Sequence, residues 1–221
     1  MNETVNAFLL VYMGLLPIIN PLGNAPIFLG LTQHCTDEDR HLLAHRVAIN
    51  GFFLLLGSLI VGSHVLEFFG ITLPVVRVAG GLVVTALGWK LLQSGDEGID
   101  SREVATATHE VATASRPVGR EDSFYPLTMP LTVGPGAISV AIALGTQRPR
   151  ALNIYDIIFL GGAAIAALAA MGATIYVCYR FAELIITTLG KRGTTVLVRL
   201  SAFILLCIGI EIIWSGYSAL R

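Results

Sequence analysis

The sequence predicts an all-α integral membrane protein with six transmembrane spans, built as an inverted 3+3 repeat in which spans 1 and 4 are broken helices. Composition indicates the class, because the 221 residues are 54% hydrophobic and only 13% charged, with a mean hydropathy of +0.74. Soluble domains are about one quarter charged. Long apolar stretches indicate the spans, and a proline pattern that occurs in each half indicates the repeat.

The spans are stretches of about 20 apolar residues, the length that a helix needs to cross the hydrocarbon core of a bilayer. They lie near residues 5–31, 47–66, 71–93, 124–146, 153–179 and 196–218. Only the segments 32–46 and 95–122 are polar over any length, which excludes an appended catalytic domain. The chain therefore divides into a first three-helix repeat at 1–94, a cytoplasmic linker at 95–122 and a second, inverted repeat at 123–221.

The positions of Lys and Arg predict the orientation, because the cytoplasmic loops of membrane proteins retain basic residues. Most of the 14 basic residues belong to the loops or flanks after spans 1, 3 and 5: Arg40, Arg46, Lys90, Arg102, Arg116, Arg120, Arg180, Lys191, Arg192 and Arg199. The other side holds Arg77, Arg148, Arg150 and Arg221. We therefore expect a multi-pass protein of the inner (plasma) membrane with both termini in the periplasm.

Span 1 is interrupted by the stretch PIINPLGNAP at residues 17–26. Proline lacks an amide hydrogen, and its ring clashes with the carbonyl one turn earlier. Pro21 and Pro26, with Gly23 and Asn24 between them, are therefore expected to split the span into two half-helices, the second capped near Asn24 or Ala25. A simple proline kink is the alternative interpretation.

The same pattern begins the second half of the chain. Its residues are Pro17, Pro21, Leu22 and Pro26 in the first half, and Pro126, Pro130, Leu131 and Pro135 in the second. A second correspondence joins RVAGGLVVTALGW from Arg77 with RLSAFILLCIGIEIIW from Arg199. Each half has an odd number of spans, so the second half enters the membrane from the opposite side, as in many secondary transporters.

Two breaks that face each other near the midplane would define one binding site. The N-terminus of a half-helix offers free N–H groups and the positive end of the dipole, which suits a carboxylate. We expect these donors at 25–27 or 136–138. The candidate substrate-binding residues are Asn20, Pro21, Gly23, Asn24, Ala25, Thr128, Thr132, Gly134, Pro135 and Gly136.

Within this set, Asn20, Asn24, Thr128 and Thr132 are the candidate hydrogen-bond partners of a substrate ammonium or hydroxyl group. The alternative for the two asparagines is a purely structural role as helix caps. Gly136 is expected to let another group approach the backbone.

Charged residues inside spans are costly and mark functional sites. Glu211 in span 6 is the candidate for coupling to H⁺ or Na⁺, and Lys90 in span 3 is its approximate repeat counterpart. Snorkelling of both side chains to the interface is the alternative. Small residues at 79–81 and from Gly161 onwards predict close helix packing.

Enzymatic function is not expected, because the sequence contains neither H-E-x-x-H nor G-x-S-x-G. The absence of a Walker A sequence argues against ATP-driven pumping by this chain. His41 and His45 lie one helical turn apart without an evident third ligand, so no metal site is predicted. No cofactor and no nucleic-acid partner are expected, and the sequence does not indicate the oligomeric state.

Three segments resemble the MarC family of bacterial and archaeal inner-membrane proteins: LLPIINPLGNAPIFLGLT, VRVAGGLVVTALGWKLL and PLTMPLTVGPGAISVAIAL. Asn20-Pro21 and Gly134-Pro135-Gly136 match the family pattern, and the resemblance covers essentially the whole chain. It implies a six-helix membrane protein. It also implies transport of small neutral amino acids such as alanine, glycine and serine, as in members of the neutral amino acid transporter (NAAT) type. The family name derives from an antibiotic-resistance locus.

The residues and the resemblance together predict a secondary transporter of a small zwitterion that works by alternating access. Its carboxylate would meet the amides of a half-helix, and Asn20 or Asn24 would hold its ammonium group. Import and export both remain open, as does the coupling ion. The alternatives are a channel, an accessory membrane protein, and an exporter of other small solutes including drugs.

Overall fold

The computed structural model of the protein describes residues 3–93, 123–146 and 154–220, and every regular element in these ranges is a helix. The helices are α1 (Glu3–Ile19), α2 (Pro21–Leu31), α3 (Asp37–Phe68), α4 (Leu73–Gln93), α5 (Phe124–Thr132), α6 (Pro135–Thr146), α7 (Ile154–Arg180) and α8 (Ala182–Leu220). The predicted linker at 95–122 lies outside the described residues, so the domain boundaries stay a prediction.

Four helical segments are each long and apolar enough to cross a membrane: Asp37–Phe68, Leu73–Gln93, Phe159–Arg180 and Arg192–Leu220. Two further candidates are bent pairs. Helices α1 and α2 meet at 43°, and α5 and α6 meet at 66°. If each bent pair is one span, the described residues hold six, and the bent ones are the two for which breaks were predicted.

Helix α3 is longer than the predicted second span because it has a strong N-terminal start. Thr36 is its N-cap, with a hydroxyl that accepts the N–H of Asp39 at 3.2 Å, and three acidic residues occupy the first turn. Such a start is stabilising, because acidic groups favour the positive end of the helix dipole. The polar segment 32–46 is therefore mostly the first part of α3 and not a connection that precedes it.

Helix α8 also begins earlier than predicted. It follows α7 after one intervening residue, and it contains a non-helical position at Gly190 with φ 65° and ψ 175°. Glycine takes this left-handed conformation without the Cβ clash that other residues suffer. The apolar segment after Gly190 corresponds to the predicted sixth span.

The two bent pairs pack against helices from the other end of the chain. Helix α3 contacts α5 and α6, while α7 contacts α1 and α2, and α3 and α7 also contact each other. Among the side chains buried between these helices are Leu15, Phe28, Leu43, Leu168 and Tyr179. This arrangement places both breaks inside the helix bundle.

Helices α4 and α8 pack backbone to backbone along a glycine seam formed by Gly81, Gly88, Gly209 and Gly216. A Cβ atom on Gly88 would lie 2.7 Å from the amide nitrogen of Leu206, and one on Gly209 would lie 2.6 Å from that of Thr85. Gly81 lies against Gly209, and Gly88, further along α4, lies against Leu206, which comes earlier in α8. The two helices are therefore antiparallel. Small residues permit this approach in the absence of a strong hydrophobic drive.

The predicted small-residue packing is therefore correct for α4 and only partly correct for α7. A Cβ on Gly161 or Gly162 would meet no atom within 4 Å, whereas one on Gly172 would lie 3.4 Å from the carbonyl oxygen of Ala48. The glycine pair of α7 thus contributes no close helix contact within the described residues.

Candidate functional site

The first break lies at Asn20, between α1 and α2. Asn20 has φ 45° and ψ 59°, a left-handed conformation that asparagine tolerates better than most residues. Its Oδ1 accepts the N–H of Gly23 at 3.2 Å and so caps α2. Pro21 occupies the first helical position, where a missing N–H costs little.

The cap predicted at Asn24 or Ala25 was therefore wrong, because α2 already begins at Pro21 and continues through Pro26. The amides of Ala25 and Ile27 lie inside α2, where each has a carbonyl one turn earlier as its helical partner. Pro26 has no N–H. The carboxylate position predicted at 25–27 is consequently not available.

The second break has a different construction. Helix α5 is a wide, π-type helix with non-helical backbone at Tyr125 and Met129, and Val133 and Gly134 connect it to α6. The carbonyl of Gly134 accepts the N–H of Ile138 at 3.1 Å. The preceding amides, of Gly136 and Ala137, lie in the first turn and have no acceptor within the helix. Gly134 carries no side chain that could cap them, so the N-terminus of α6 is open.

Close packing against α4 holds this N-terminus in place. A Cβ atom on Gly136 would overlap the Cγ2 of Val84, so only glycine fits there without displacement. The Ser139 hydroxyl donates to the carbonyl of Gly136 at 2.8 Å. Gly80 of α4 lies against the same serine. The group predicted to approach the backbone at Gly136 is thus helix α4.

Asn24 joins the two breaks. Its Nδ2 donates to the carbonyl of Ile19 at 2.8 Å and to the carbonyl of Leu131 at 3.1 Å. In a continuous helix, the Leu131 carbonyl would accept the N–H of residue 135, which is a proline and has none. Asn24 supplies the missing donor from the other half of the chain. Both partners are carbonyl oxygens, so the contacting side-chain atom must be the amide nitrogen.

Thr132 and Tyr179 form a second connection between the breaks. The Thr132 hydroxyl donates to the Leu127 carbonyl at 2.7 Å, so the Tyr179 hydroxyl donates to Thr132 across 2.8 Å. The Tyr179 ring stacks on Phe28 of α2 with centroids 4.4 Å apart. The sequence analysis missed Tyr179, although a tyrosine in a buried apolar span generally requires a hydrogen-bond partner.

A cavity of about 740 Å³ lies where the breaks meet. Its walls come from both halves of the chain: Ile18, Asn20, Asn24, Ile27, Val83, Val84, Ala86, Leu87, Lys90, Pro130, Leu131, Thr132, Gly134, Pro135, Gly136, Ala137 and Leu205. The volume is in the range of small-molecule sites, which are mostly apolar with a few placed polar groups. The site is therefore a concave pocket with the open N-terminus of α6 in its wall.

The structure brings six of the predicted residues to this cavity: Asn20, Asn24, Thr132, Gly134, Pro135 and Gly136. Pro21, Gly23 and Ala25 are buried within the start of α2 and do not line it. Thr128 is also buried away from the lining, and its hydroxyl donates to the Ser123 carbonyl at 2.7 Å. These four residues support the shape of the first or second break and do not face the cavity.

The two charged candidates occupy different places. Glu211 is exposed on α8 and does not line the cavity, whereas Lys90 does. The ion-coupling role of Glu211 stays a prediction. Lys90 was expected to matter only as the repeat counterpart of Glu211, so its position in the cavity wall was not foreseen.

Comparison with known proteins identifies relatives across nearly the whole chain. A UPF0056 membrane protein of Pyrococcus abyssi is 30% identical over 216 residues, which cover 98% of this chain and 96% of the relative. The inner membrane protein MarC of Salmonella typhimurium is 30% identical over 91% of this chain and 90% of its own. The membrane protein YvbG of Bacillus subtilis is 29% identical over 93% and 92%. No solved structure matches the chain.

These relatives agree with the match to the family as a whole. The sequence model described as "MarC family integral membrane protein" matches residues 5–220. Several relatives are named inner membrane proteins, which agrees with the apolar helices described above. The chain is an integral membrane protein that belongs to the MarC family.

Proposed function

We propose that the protein is a secondary transporter of small neutral amino acids, of the alanine, glycine and serine class, that works by alternating access between two inverted three-helix repeats. The observation that carries the proposal is the cavity at the meeting point of the two helix breaks. Discontinuous spans that enclose a midplane site at a repeat interface are typical of secondary transporters.

The packing of the helices supports the inverted repeat. If α1 and α2 correspond to α5 and α6, α3 to α7 and α4 to α8, then exchanging the halves converts the contacts of α3 with α5 and α6 into those of α7 with α1 and α2. The same exchange converts the α4–α6 contact into the α8–α2 contact, which is also present. The corresponding helices α4 and α8 are antiparallel, as inversion requires.

The cavity offers separate positions for the two charged groups of a zwitterion. The amides of Gly136 and Ala137 at the start of α6 would receive the carboxylate, since they carry the positive end of the helix dipole. Both contacts of the Asn24 amide nitrogen are made to carbonyls, so Oδ1 is the Asn24 atom that would accept from the ammonium group. Aliphatic side chains such as Ile27, Val84 and Leu205 would surround a small side group.

The direction of opening follows from the predicted topology. The cavity extends from the breaks to Lys90, in the last turn of α4. The residues that follow α4 are predicted to be cytoplasmic, so this conformation would face the cytoplasm. The opposite conformation would expose the breaks to the periplasm, where both termini are predicted to lie.

Counterflow in proteoliposomes tests the function. Vesicles loaded with unlabelled alanine should accumulate radiolabelled alanine transiently and with saturation. Gly136→Val should abolish this flux, because its side chain would collide with Val84. Gly57→Val is the matched control, since a Cβ atom on Gly57 meets no atom within 4 Å.

Each outcome of this assay separates the function classes. Flux that stays linear with alanine concentration would indicate a channel, and no flux above that of empty vesicles would indicate an accessory role. Saturable uptake that increases only with an imposed proton gradient, or only with a sodium gradient, would identify the coupling ion. If Gly57→Val loses activity as completely as Gly136→Val does, the cavity is not the transport site.

Topology is tested separately by labelling introduced cysteines in a variant without Cys35, Cys178 and Cys207. His34→Cys, in the turn before α3, should react only with reagent supplied from the cytoplasm. Thr72→Cys, in the turn before α4, should react only from outside. The reverse pattern would contradict the proposed orientation, and labelling of both from one side would contradict α3 as a single crossing.

A further inference from the structure

A short helical segment, residues 182–189, connects α7 to the part of α8 that is long enough to cross the membrane. The candidate spans on either side are Phe159–Arg180 and Arg192–Leu220, so the segment lies outside both. The kink at Gly190 separates it from the second of them. Helix α7 packs mainly against α1 and α3, whereas α8 packs mainly against α4. The segment therefore bridges two separately packed spans at one face of the membrane.

The side chains of this segment form three faces, because successive residues of an α-helix are about 100° apart. One face lies against the protein: Ala182 is buried, and Ile186, one turn later, is half-buried. The next face is polar and exposed, and it consists of Glu183 and Thr187, which are also one turn apart. The segment is thus attached to the protein along one side and leaves the other sides free.

The third face is apolar and lies on the far side of the helix from Glu183 and Thr187. We call it the apolar face, and it is formed by Leu184, Ile185, Thr188 and Leu189. Leu184 is 62% exposed and Leu189 is 41% exposed. A helix with a polar face on one side and large apolar side chains on the other is typical of helices that lie in the membrane–water interface.

The surroundings of the apolar face indicate what covers it. The flanking spans also expose branched apolar side chains, Val177 before the segment and Val196 and Leu200 after it. In a helix that crosses a bilayer, such side chains face lipid. The apolar face thus lies between two surfaces that meet the bilayer, and lipid is the partner that fits all three.

The polar face points to the aqueous phase. The Glu183 carboxylate accepts a hydrogen bond from Arg40 of α3 at 3.2 Å, and Arg40 also pairs with Asp37 at 3.1 Å. The Asp37 side chain is 81% exposed in the first turn of α3. Exposed charges of this kind are costly inside a bilayer. Water on the side of Glu183 places the opposite, apolar face towards the acyl chains.

Basic residues stand at both ends of the segment. At the first end, Arg180 donates to the Tyr176 hydroxyl at 2.6 Å, and its guanidinium lies 5.8 Å from the ring centroid of Phe181. At the second end, Lys191 and Arg192 follow the kink in the sequence. Arginine has five N–H donors in a fork that matches a phosphate. Basic residues close to a membrane surface also attract acidic lipids.

We propose that residues 182–189 form an interfacial helix that docks on the headgroup layer of the bilayer, with its apolar face towards the acyl chains. Arg180 and Arg192 bind the phosphates of acidic lipids at its two ends. The inference goes beyond the proposed transport and holds whether or not the protein carries a solute. In the predicted orientation this layer belongs to the cytoplasmic leaflet, whose surface potential is negative.

Spin labels measure how the segment lies. Leu184→Cys and Thr187→Cys are labelled in the variant without native cysteines and reconstituted in vesicles of phosphatidylcholine and phosphatidylglycerol. The label at 184 should collide more with oxygen, which concentrates among acyl chains, and less with a water-soluble nickel chelate than the label at 187. Val196→Cys is the lipid reference and Glu38→Cys the water reference. Equal accessibility at 184 and 187 would overturn the proposal.

Two glutamine variants test the same point in protein that keeps its cysteines. Leu184 and Thr187 are both exposed, so a segment surrounded by water predicts nearly equal melting temperatures for Leu184→Gln and Thr187→Gln. Docking on lipid predicts that Leu184→Gln lowers the apparent melting temperature of the reconstituted protein by a few degrees. Thr187→Gln should stay close to the wild type, as surface substitutions generally do. The same melting temperature for both variants would contradict the interfacial position.

The lipid composition tests the two arginines. The wild type should have a higher apparent melting temperature in nanodiscs that contain phosphatidylglycerol than in nanodiscs of phosphatidylcholine alone. This difference should disappear when Arg180→Gln and Arg192→Gln are combined, and Arg77→Gln, at the other end of its span, should keep it. The difference between the two lipids is the readout, so a general loss of stability does not imitate the effect. A lipid dependence that the double variant retains would show that these arginines do not bind acidic lipids.

Discussion

The two helix breaks share a proline pattern but are not built alike. In the first half, the new helix starts at Pro21, the second proline of the pattern. It follows Asn20, which has a left-handed conformation and caps the new helix. In the second half, it starts at the last proline of the pattern, Pro135, after Val133 and Gly134. The bend is 43° in the first case and 66° in the second. One N-terminus is closed by a side chain, and the other is open to the cavity.

The residue before the middle proline explains this difference. It is Asn20 in the first half and Met129 in the second. Asparagine can adopt the left-handed conformation and cap the next helix, whereas methionine pays the full steric cost of a positive φ. Met129 is instead extended, with φ −116° and ψ 121°, the conformation that a following proline favours. The second half therefore begins its regular helix only at the next proline.

The largest expected effect concerns the residue that connects the breaks. Asn24→Leu removes the donor to the carbonyls of both Ile19 and Leu131, which then lie unpaired in an apolar region. At about 1–3 kcal/mol for each group, the loss is roughly 2–6 kcal/mol, and the apparent melting temperature in detergent should fall sharply. Asn50→Leu, on α3, is the comparison variant. Equal melting temperatures for the two would show that Asn24 does not hold the breaks together.

The next effect isolates the left-handed cap. Asn20→Ala loses the hydrogen bond to Gly23 and forces a Cβ-bearing residue without a polar side chain into positive φ, which together cost about 2–3 kcal/mol. Asn20→Gly loses only the side-chain cap and should cost a few tenths of a kcal/mol. Thermal unfolding of both variants checks this order. If the glycine variant is the less stable one, the first break does not depend on backbone conformation.

A smaller effect is expected at Tyr179. Tyr179→Phe keeps the stack on Phe28 and removes the hydrogen bond to Thr132, at a cost of about 1 kcal/mol. Tyr12→Phe is the matched control, because the Tyr12 hydroxyl bonds to Thr174 at 2.9 Å, away from the cavity lining. Both variants should lose similar stability, but only Tyr179→Phe should alter the alanine concentration for half-maximal counterflow. An equal change of this concentration in both variants would show that the hydrogen bond between Tyr179 and Thr132 has no special part in the site.

The smallest change in stability should accompany a large change in binding. Gly134→Ser gives α6 the side-chain cap that α2 already has, which is worth only a few tenths of a kcal/mol. The added hydroxyl would occupy the amides that are proposed to receive the carboxylate, so alanine affinity should fall several-fold. Calorimetric titration with alanine measures this. Unchanged affinity would show that the open N-terminus is not used.

The sequence predicted the apolar spans and the two interrupted ones, because hydropathy and proline chemistry are local properties. It misplaced the first cap, because Pro21 and Pro26 can each begin a helix, and the choice depends on whether Asn20 adopts positive φ. It also began the second span too late, since polarity marks the edge of the membrane and not the start of α3.

The contacts of the candidate site were harder to predict. Asn24 was predicted as a substrate ligand from its residue type, but its partner is a carbonyl that Pro135 leaves without a donor, more than 100 residues away along the chain. Tyr179 and Lys90 gave only general signals, a polar group in an apolar span and a charge near a helix end. Their positions in the site depend on which helices meet, which a single sequence does not specify.

The glycine seam between α4 and α8 would limit the movement that the proposed transport requires of the two halves. The two helices belong to different halves, yet their backbones touch along the length that Gly81, Gly88, Gly209 and Gly216 define. Separating them would expose this backbone contact without any side chain to fill the gap, so a small rotation or a shear along the seam is the movement that it permits. In the proposed alternating-access movement the seam would act as a pivot, and the largest displacements would fall on α1, α2, α5 and α6, the helices that form the breaks.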